Sequence, residues 1–87
     1  MAKVEIYTTM MCPFCHRAKA LLDAKGVAYE EYDVTYDPKG RAAMMARAEG
    51  RHTVPQIFID ERPVGGSDDL AELDHTGELD RLLGAAA

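Results

Sequence analysis

Cys12 and Cys15 are the only cysteines in the chain, and Pro13 and Phe14 separate them. A thiolate is the nucleophile of thiol–disulfide exchange, so two sulfurs this close in sequence point to redox catalysis. The other chemistry open to such a pair is half of a four-cysteine zinc site. There is no second pair, so a metal would have to recruit His16, His52 or His75, and none is expected.

The pair needs a strand before it and a helix after it. Lys3 to Thr8 alternates apolar and polar and predicts strand one. Pro13 opens a helix that Ala18, Leu21 and Leu22 continue and Gly26 stops at about 25. This junction sets the Cys12 sulfur over the unpaired N–H groups of the first helical turn, where the macrodipole favours thiolate over thiol. Cys15, Ala18 and Leu22 fall at i, i+3 and i+7, so Cys15 faces the buried stripe and Cys12 is expected to face solvent. The outer sulfur then attacks and the inner one resolves.

Val27 to Val34 predicts a second strand. Asp37-Pro38 starts a second helix, with an acceptor cap and an early proline, that runs to about Ala48; Met44 and Met45 are expected to fill the core there. Pro55 to Ile59 is a short apolar strand, Asp60-Glu61-Arg62 a turn, and Pro63-Val64 a brief fourth strand. Ser67 is expected to cap a third helix, and a short last helix covers about 78–83. The order β-α-β-α-β-β-α predicts an α/β fold, a small four-stranded mixed sheet with helices on both faces. Ala85-Ala86-Ala87 is expected to be a disordered tail.

The chain of 87 residues suits one small domain. Its net charge of −5 argues against nucleic acid or an anionic membrane as partner. Basic residues gather in the first helix, beside the cysteines, and acidic ones dominate from Asp60 to Arg81. No apolar run approaches the ~20 residues of a membrane helix, and no signal-peptide apolar segment is expected ahead of strand one. One cysteine pair in an otherwise cysteine-free chain fits a reducing cytoplasm, where its disulfide would be transient. A monomer is expected.

Two further segments suit a ligand. Pro55 follows Val54 at the mouth of a buried strand, where a proline is tolerated at the first position in either the cis or the trans form. Gly65-Gly66 lets backbone approach a ligand. Ser67 opens a helix whose N–H groups suit a carboxylate; ordinary capping is compatible with this and is the better reading of the sequence alone. Asp68 or Asp69 could hold an ammonium.

Cys12-Pro13-Phe14-Cys15-His16 after strand one, Thr53-Val54-Pro55-Gln56-Ile57-Phe58-Ile59, and Gly65-Gly66-Ser67-Asp68-Asp69-Leu70 together resemble a glutaredoxin of the bacterial single-domain dithiol class. The resemblance spans nearly the whole chain, with residues 1–84 as the domain. It implies a thioredoxin-like fold, glutathione as reducing co-substrate, and reduction of protein disulfides and glutathione mixed disulfides through Cys12 and Cys15. It implies a cis Pro55 facing the cysteines, which would leave the Val54 backbone free to pair with an extended peptide such as glutathione. It implies that Phe14, Thr53, Val54, Pro55, Gly66, Ser67 and Asp68 bind that tripeptide; Arg51 and Gln56 are further contacts to consider for its glycine carboxylate. Phe14 stands where tyrosine is usual, and no lysine precedes Cys12, where one is typical. Two other functions are weighed against this one. A thioredoxin-like reductant fed by a flavoprotein reductase usually carries a Trp beside the pair, absent here. A glutathione-ligated iron–sulfur cluster carrier is disfavoured, by the resemblance, by rigid Pro13.

Overall fold

The computed structural model describes residues 2–84, so the expected tail at 85–87 lies outside the described residues. The chain runs β1 (Val4–Thr8), α1 (Pro13–Ala24), β2 (Glu30–Asp33), α2 (Pro38–Arg47), β3 (Gln56–Ile59), β4 (Arg62–Gly65), α3 (Ser67–Thr76) and α4 (Glu78–Leu82). The sheet order is β2-β1-β3-β4. β1 pairs parallel with β2 and antiparallel with β3, and β3 pairs antiparallel with β4, giving the expected mixed sheet.

Each strand's two-residue period deals its side chains to two cores. On one face Val4, Ile6, Ile57 and Ile59 meet Ala18 and Leu22 of α1, Leu70 of α3 and Leu79 of α4. On the other, Tyr7 and Phe58 meet Met44 and Ala48 at α2. The helices therefore do cover both faces. Met44 is fully buried as expected, but Met45 is exposed, because its neighbouring position on α2 points away from the sheet.

β2 is shorter than the expected Val27–Val34. The Val27 N–H bonds back to the Leu22 carbonyl (3.4 Å), so residues after Gly26 complete the end of α1 before the chain extends. The alternation in β1 also misleads. Glu5 reads as a solvent-facing position, yet it is buried, because α2 covers the second face. Its carboxylate accepts from both Arg47 guanidinium nitrogens (2.9 and 3.1 Å) and from the Tyr32 hydroxyl (3.0 Å). Arg47 also lies over the Phe58 ring at 4.1 Å. Its guanidinium holds Glu5 below the usual carboxylate range, against the opposing pull of burial.

β1 and β3 are interior strands, β2 and β4 the edges. Tyr7 is opposite Gln56, so the exit of β1 and the entry to β3 lie at the same end of the sheet. Cys12 follows the first and Pro55 precedes the second, which brings together segments more than forty residues apart.

Candidate active site

The turn Thr9–Met11 leaves β1 from a tethered point. The Thr8 hydroxyl donates to Glu31 (2.7 Å), and Lys19 of α1 donates to the same carboxylate oxygen (2.9 Å). These donors, the Thr8 hydroxyl foremost, keep Glu31 below its ordinary pKa. Beyond, the Met10 N–H donates to the Thr35 hydroxyl (2.8 Å), which Asp33 holds in turn (2.6 Å). Cys12 is therefore delivered to the N-terminus of α1 by a chain fixed on both sides.

Cys12 is the N-cap residue of α1, and its Sγ accepts the Cys15 backbone N–H at 3.0 Å. A sulfur occupies the place usually taken by a serine or aspartate oxygen, and the bond strengthens if that sulfur is negative. Cys12 and Cys15 form a disulfide, with Cα atoms 5.2 Å apart. Cys15 is 1 % exposed, as its helical position predicts. Cys12 is 7 % exposed, which corrects the expectation that it faces solvent. Its sulfur is turned into the helix terminus, bonded to Cys15, and packed 3.8 Å from the Val54 carbonyl oxygen. Lys19 is paired with Glu31, and Arg17 rests over Phe14 (5.3 Å) and beside Asp68 (4.0 Å). The donor placed to favour a thiolate at Cys12 is the Cys15 backbone N–H in the first turn of α1.

The Val54–Pro55 bond is cis, as the resemblance implies. Pro55 and Val54 border a cleft of about 280 Å³ whose walls also include Phe14, Thr53, Gly66, Ser67 and Asp68. The seven residues that the resemblance implies for glutathione thus line one cleft, and Arg51 lines it too. Gln56 is not among them. It is buried, and its amide donates to the carbonyl and hydroxyl oxygens of Thr53 (3.0 and 3.3 Å), bracing the loop ahead of Pro55. Its amide nitrogen is thus engaged within the protein rather than in the cleft.

Arg51 and Asp69 complete the cleft. Their pairing spans eighteen residues, so no local pattern announces it. Asp69 Oδ2 accepts from Arg51 (3.1 Å) and from the Gly66 N–H (2.9 Å). Gly66, not Ser67, is thus the N-cap of α3, and Asp69 reaches back to its N–H as a capping box does. Ser67 is the first helical residue. The Gly66 N–H is the main reason that Asp69 stays ionised below the ordinary aspartate range. A Cβ at Gly65, where φ is +115°, would strike both Asp69 and Arg51, so only glycine fits. Asp69→Ala should lower stability by about 1 kcal/mol, the usual cost of a lost cap. A urea melt checks this, and an unchanged midpoint would count against the cap. The two acids have separate fates. Asp69 is committed to the turn, whereas the Asp68 side chain is 91 % exposed, with the Arg17 guanidinium beside it at 4.0 Å.

Among the described residues no group of three or more His, Cys, Asp or Glu is placed to hold a metal ion. No described helix is long and apolar enough to cross a membrane.

Comparison with known proteins agrees with this geometry. Residues 4–64 match the family model described as Glutaredoxin. Glutaredoxin 3 of Escherichia coli is 55 % identical over 83 residues, covering 95 % of this chain and 99 % of that protein. The solution structure of a glutaredoxin from Brucella melitensis superposes with a TM-score of 0.83 at 49 % identity, covering 100 % of this chain and 96 % of that one. A crystal structure of a buckwheat glutaredoxin–glutathione complex superposes with a TM-score of 0.84 at 30 % identity, covering 99 % and 83 %.

Proposed function

Because the chain belongs to the glutaredoxin family, whose members are thiol–disulfide oxidoreductases of thioredoxin-like fold, we propose that it is a glutathione-dependent one. It reduces protein disulfides and glutathione mixed disulfides through Cys12 and Cys15. The observation that carries this proposal is the cleft beside Cys12, whose lining suits the backbone and the γ-glutamyl end of glutathione. Backbone beside cis Pro55 can pair with an extended tripeptide. The first-turn N–H groups of α3 at Ser67 and Asp68 have no partner within the helix and suit the γ-glutamyl carboxylate. The exposed Asp68 suits the ammonium on the same residue. Phe14, half-exposed at the mouth, offers apolar contact without a hydrogen bond.

The steps balance as follows. Cys12 thiolate attacks the glutathione sulfur of a mixed disulfide. A new Cys12–glutathione disulfide forms, the original sulfur–sulfur bond breaks, and the protein leaves as a thiolate that takes up a proton. A second glutathione thiolate then attacks the glutathione sulfur on Cys12. Oxidised glutathione leaves and Cys12 thiolate is restored. For a protein disulfide the first attack leaves the substrate bonded to Cys12; Cys15 displaces it and forms the Cys12–Cys15 disulfide, which two glutathiones reduce.

The protein is placed in the cytoplasm, since its single close cysteine pair suits a reducing compartment. It acts as a monomer on glutathione and on disulfide or glutathionylated proteins.

A coupled assay with glutathione, glutathione reductase and NADPH tests this. The protein should accelerate NADPH consumption with the mixed disulfide of glutathione and 2-mercaptoethanol. No acceleration, in a sample that reduces insulin with dithiothreitol, would overturn glutathione dependence. In the same assay Asp68→Asn should raise KM about tenfold, since a hydrogen bond to a charged group is worth roughly 1.5–3 kcal/mol and exposure pulls this to the low end. An unchanged KM would remove Asp68 from the ammonium site.

A further inference from the structure

Gln56 is the one polar side chain of β3, and it is 1 % exposed at the head of an interior strand. A buried amide is normally paired at both its nitrogen and its oxygen. Here Nε2 donates to the Thr53 carbonyl (3.0 Å) and hydroxyl (3.3 Å), whereas Oε1 accepts nothing. Among the described residues Oε1 is the one buried side-chain nitrogen or oxygen without a hydrogen-bond partner. Turning the amide over would set Oε1 against the Thr53 carbonyl oxygen, which has no proton to give. An orphaned buried acceptor lowers stability, and an apolar side chain of the same length would avoid that loss. The offset lies in what Nε2 holds.

The Thr53 carbonyl and the Val54 N–H belong to one planar trans peptide, since the cis bond among the described residues is Val54–Pro55. In such a plane the two groups point opposite ways. Gln56 draws the carbonyl towards the sheet, so the Val54 N–H is turned away from it. The peptide before is held likewise, because Arg41 Nη2 of α2 donates to the His52 carbonyl (2.9 Å). Arg51, one residue earlier, is tied to Asp69 of α3 (3.1 Å). Three consecutive residues ahead of Val54 are thus fixed by side chains from α2, β3 and α3. Beyond them the Val54 carbonyl lies 3.8 Å from Cys12 Sγ. Resting on the reading of the cleft as a glutathione site, we propose that Gln56 and Arg41 are positioning residues. They set the peptide planes at Thr53 and His52 so that the Val54 N–H stands ready to pair with the backbone of the tripeptide beside Cys12. Neither side chain lines the cleft. Without these bonds the plane samples several orientations, and affinity falls by the fraction that is competent.

Gln56→Met tests this, because methionine keeps the length and the burial but cannot donate. It also removes the unpaired acceptor, and the freed Thr53 carbonyl belongs to an exposed residue that water can reach. In the coupled assay with glutathione reductase, KM for the 2-mercaptoethanol mixed disulfide should rise about tenfold with kcat within about twofold, as for the loss of one hydrogen bond made equally in ground and transition states. The Tm of this variant should be no lower than that of wild type. Arg41→Ala should raise KM in the same direction. Arg41→Lys can still donate to the His52 carbonyl and should bring KM back towards wild type. An unchanged KM in Gln56→Met, or a raised KM accompanied by a lower Tm, would overturn the positioning role of Gln56. Arg41→Lys as impaired as Arg41→Ala would overturn that of Arg41. A wild type without glutathione-coupled turnover would instead overturn the proposed function, and this inference with it.

Discussion

Cys12→Ser is expected to cut turnover of a glutathione mixed disulfide by at least about a thousandfold, while Cys15→Ser stays within about threefold of wild type. The asymmetry follows from position. Cys12 caps α1 and lines a groove open to substrate, whereas Cys15 is 1 % exposed and cannot reach an external disulfide. A serine at position 12 could still accept the Cys15 N–H but is not ionised at neutral pH and forms no disulfide. With Cys15 replaced, a second glutathione can still clear Cys12. Reduction of a protein disulfide depends on Cys15 as an intramolecular nucleophile, and it should fall by about a hundredfold in Cys15→Ser, because an external thiol at millimolar concentration replaces a high effective molarity. Both variants are assayed with the 2-mercaptoethanol mixed disulfide and with insulin. If Cys15→Ser were as inactive as Cys12→Ser on the small substrate, resolution by external glutathione would be wrong.

Arg47→Met should be the most damaging change away from the cysteines. The Glu5 side chain is 5 % exposed, and Arg47 supplies two of its three hydrogen bonds. Removing one partner of a buried pair strands the other, at about 3 kcal/mol here, the low end of the range because the Arg47 side chain keeps 28 % of its exposure. For a chain of this size that corresponds to a fall in Tm on the order of 12–20 °C at pH 7. The pH dependence gives a second readout. The folded pKa of Glu5 is depressed, so its stabilisation is full above the unfolded value, roughly 4.3, and is lost as pH falls through the lower folded value. In Arg47→Met, burial dominates and pushes the carboxyl above its unfolded value, which reverses the sign. The variant should therefore regain part of its deficit as pH falls from 7 towards 4, and its Tm gap to wild type should narrow. A gap independent of pH would mean that lost packing on Phe58, not the stranded carboxylate, carries the cost.

Much of this was legible in the sequence because it is local. Gly26 and Pro13 bound α1, and the Asp37 carboxylate accepts the Gly40 N–H at 3.0 Å as the Asp-Pro pair predicts. Tertiary contacts account for what was not. Strand alternation places Glu5 outside, but it cannot say whether a helix covers the second face, and α2 does. The pairing of Arg51 with Asp69 depends on how β4 brings α3 to the loop before β3. The cap falls on Gly66 rather than Ser67 because Asp69 reaches back to the Gly66 N–H. Cys12 reads as exposed by helical position alone; its burial comes from the Val54 carbonyl across the site.

The character of the two edge strands decides whether another extended chain can add to this sheet. A chain with a misformed disulfide exposes extended segments, and an open sheet edge is a template on which such segments accumulate. Here β4 carries Pro63, which has no N–H to offer an incoming strand, and Arg62 at its mouth. The opposite edge, β2, carries Glu30, Glu31 and Asp33 in four residues, so a second copy pairing there would set acid against acid. Both rims of the sheet are thereby guarded against an added strand, and the end that carries the disulfide lies between them.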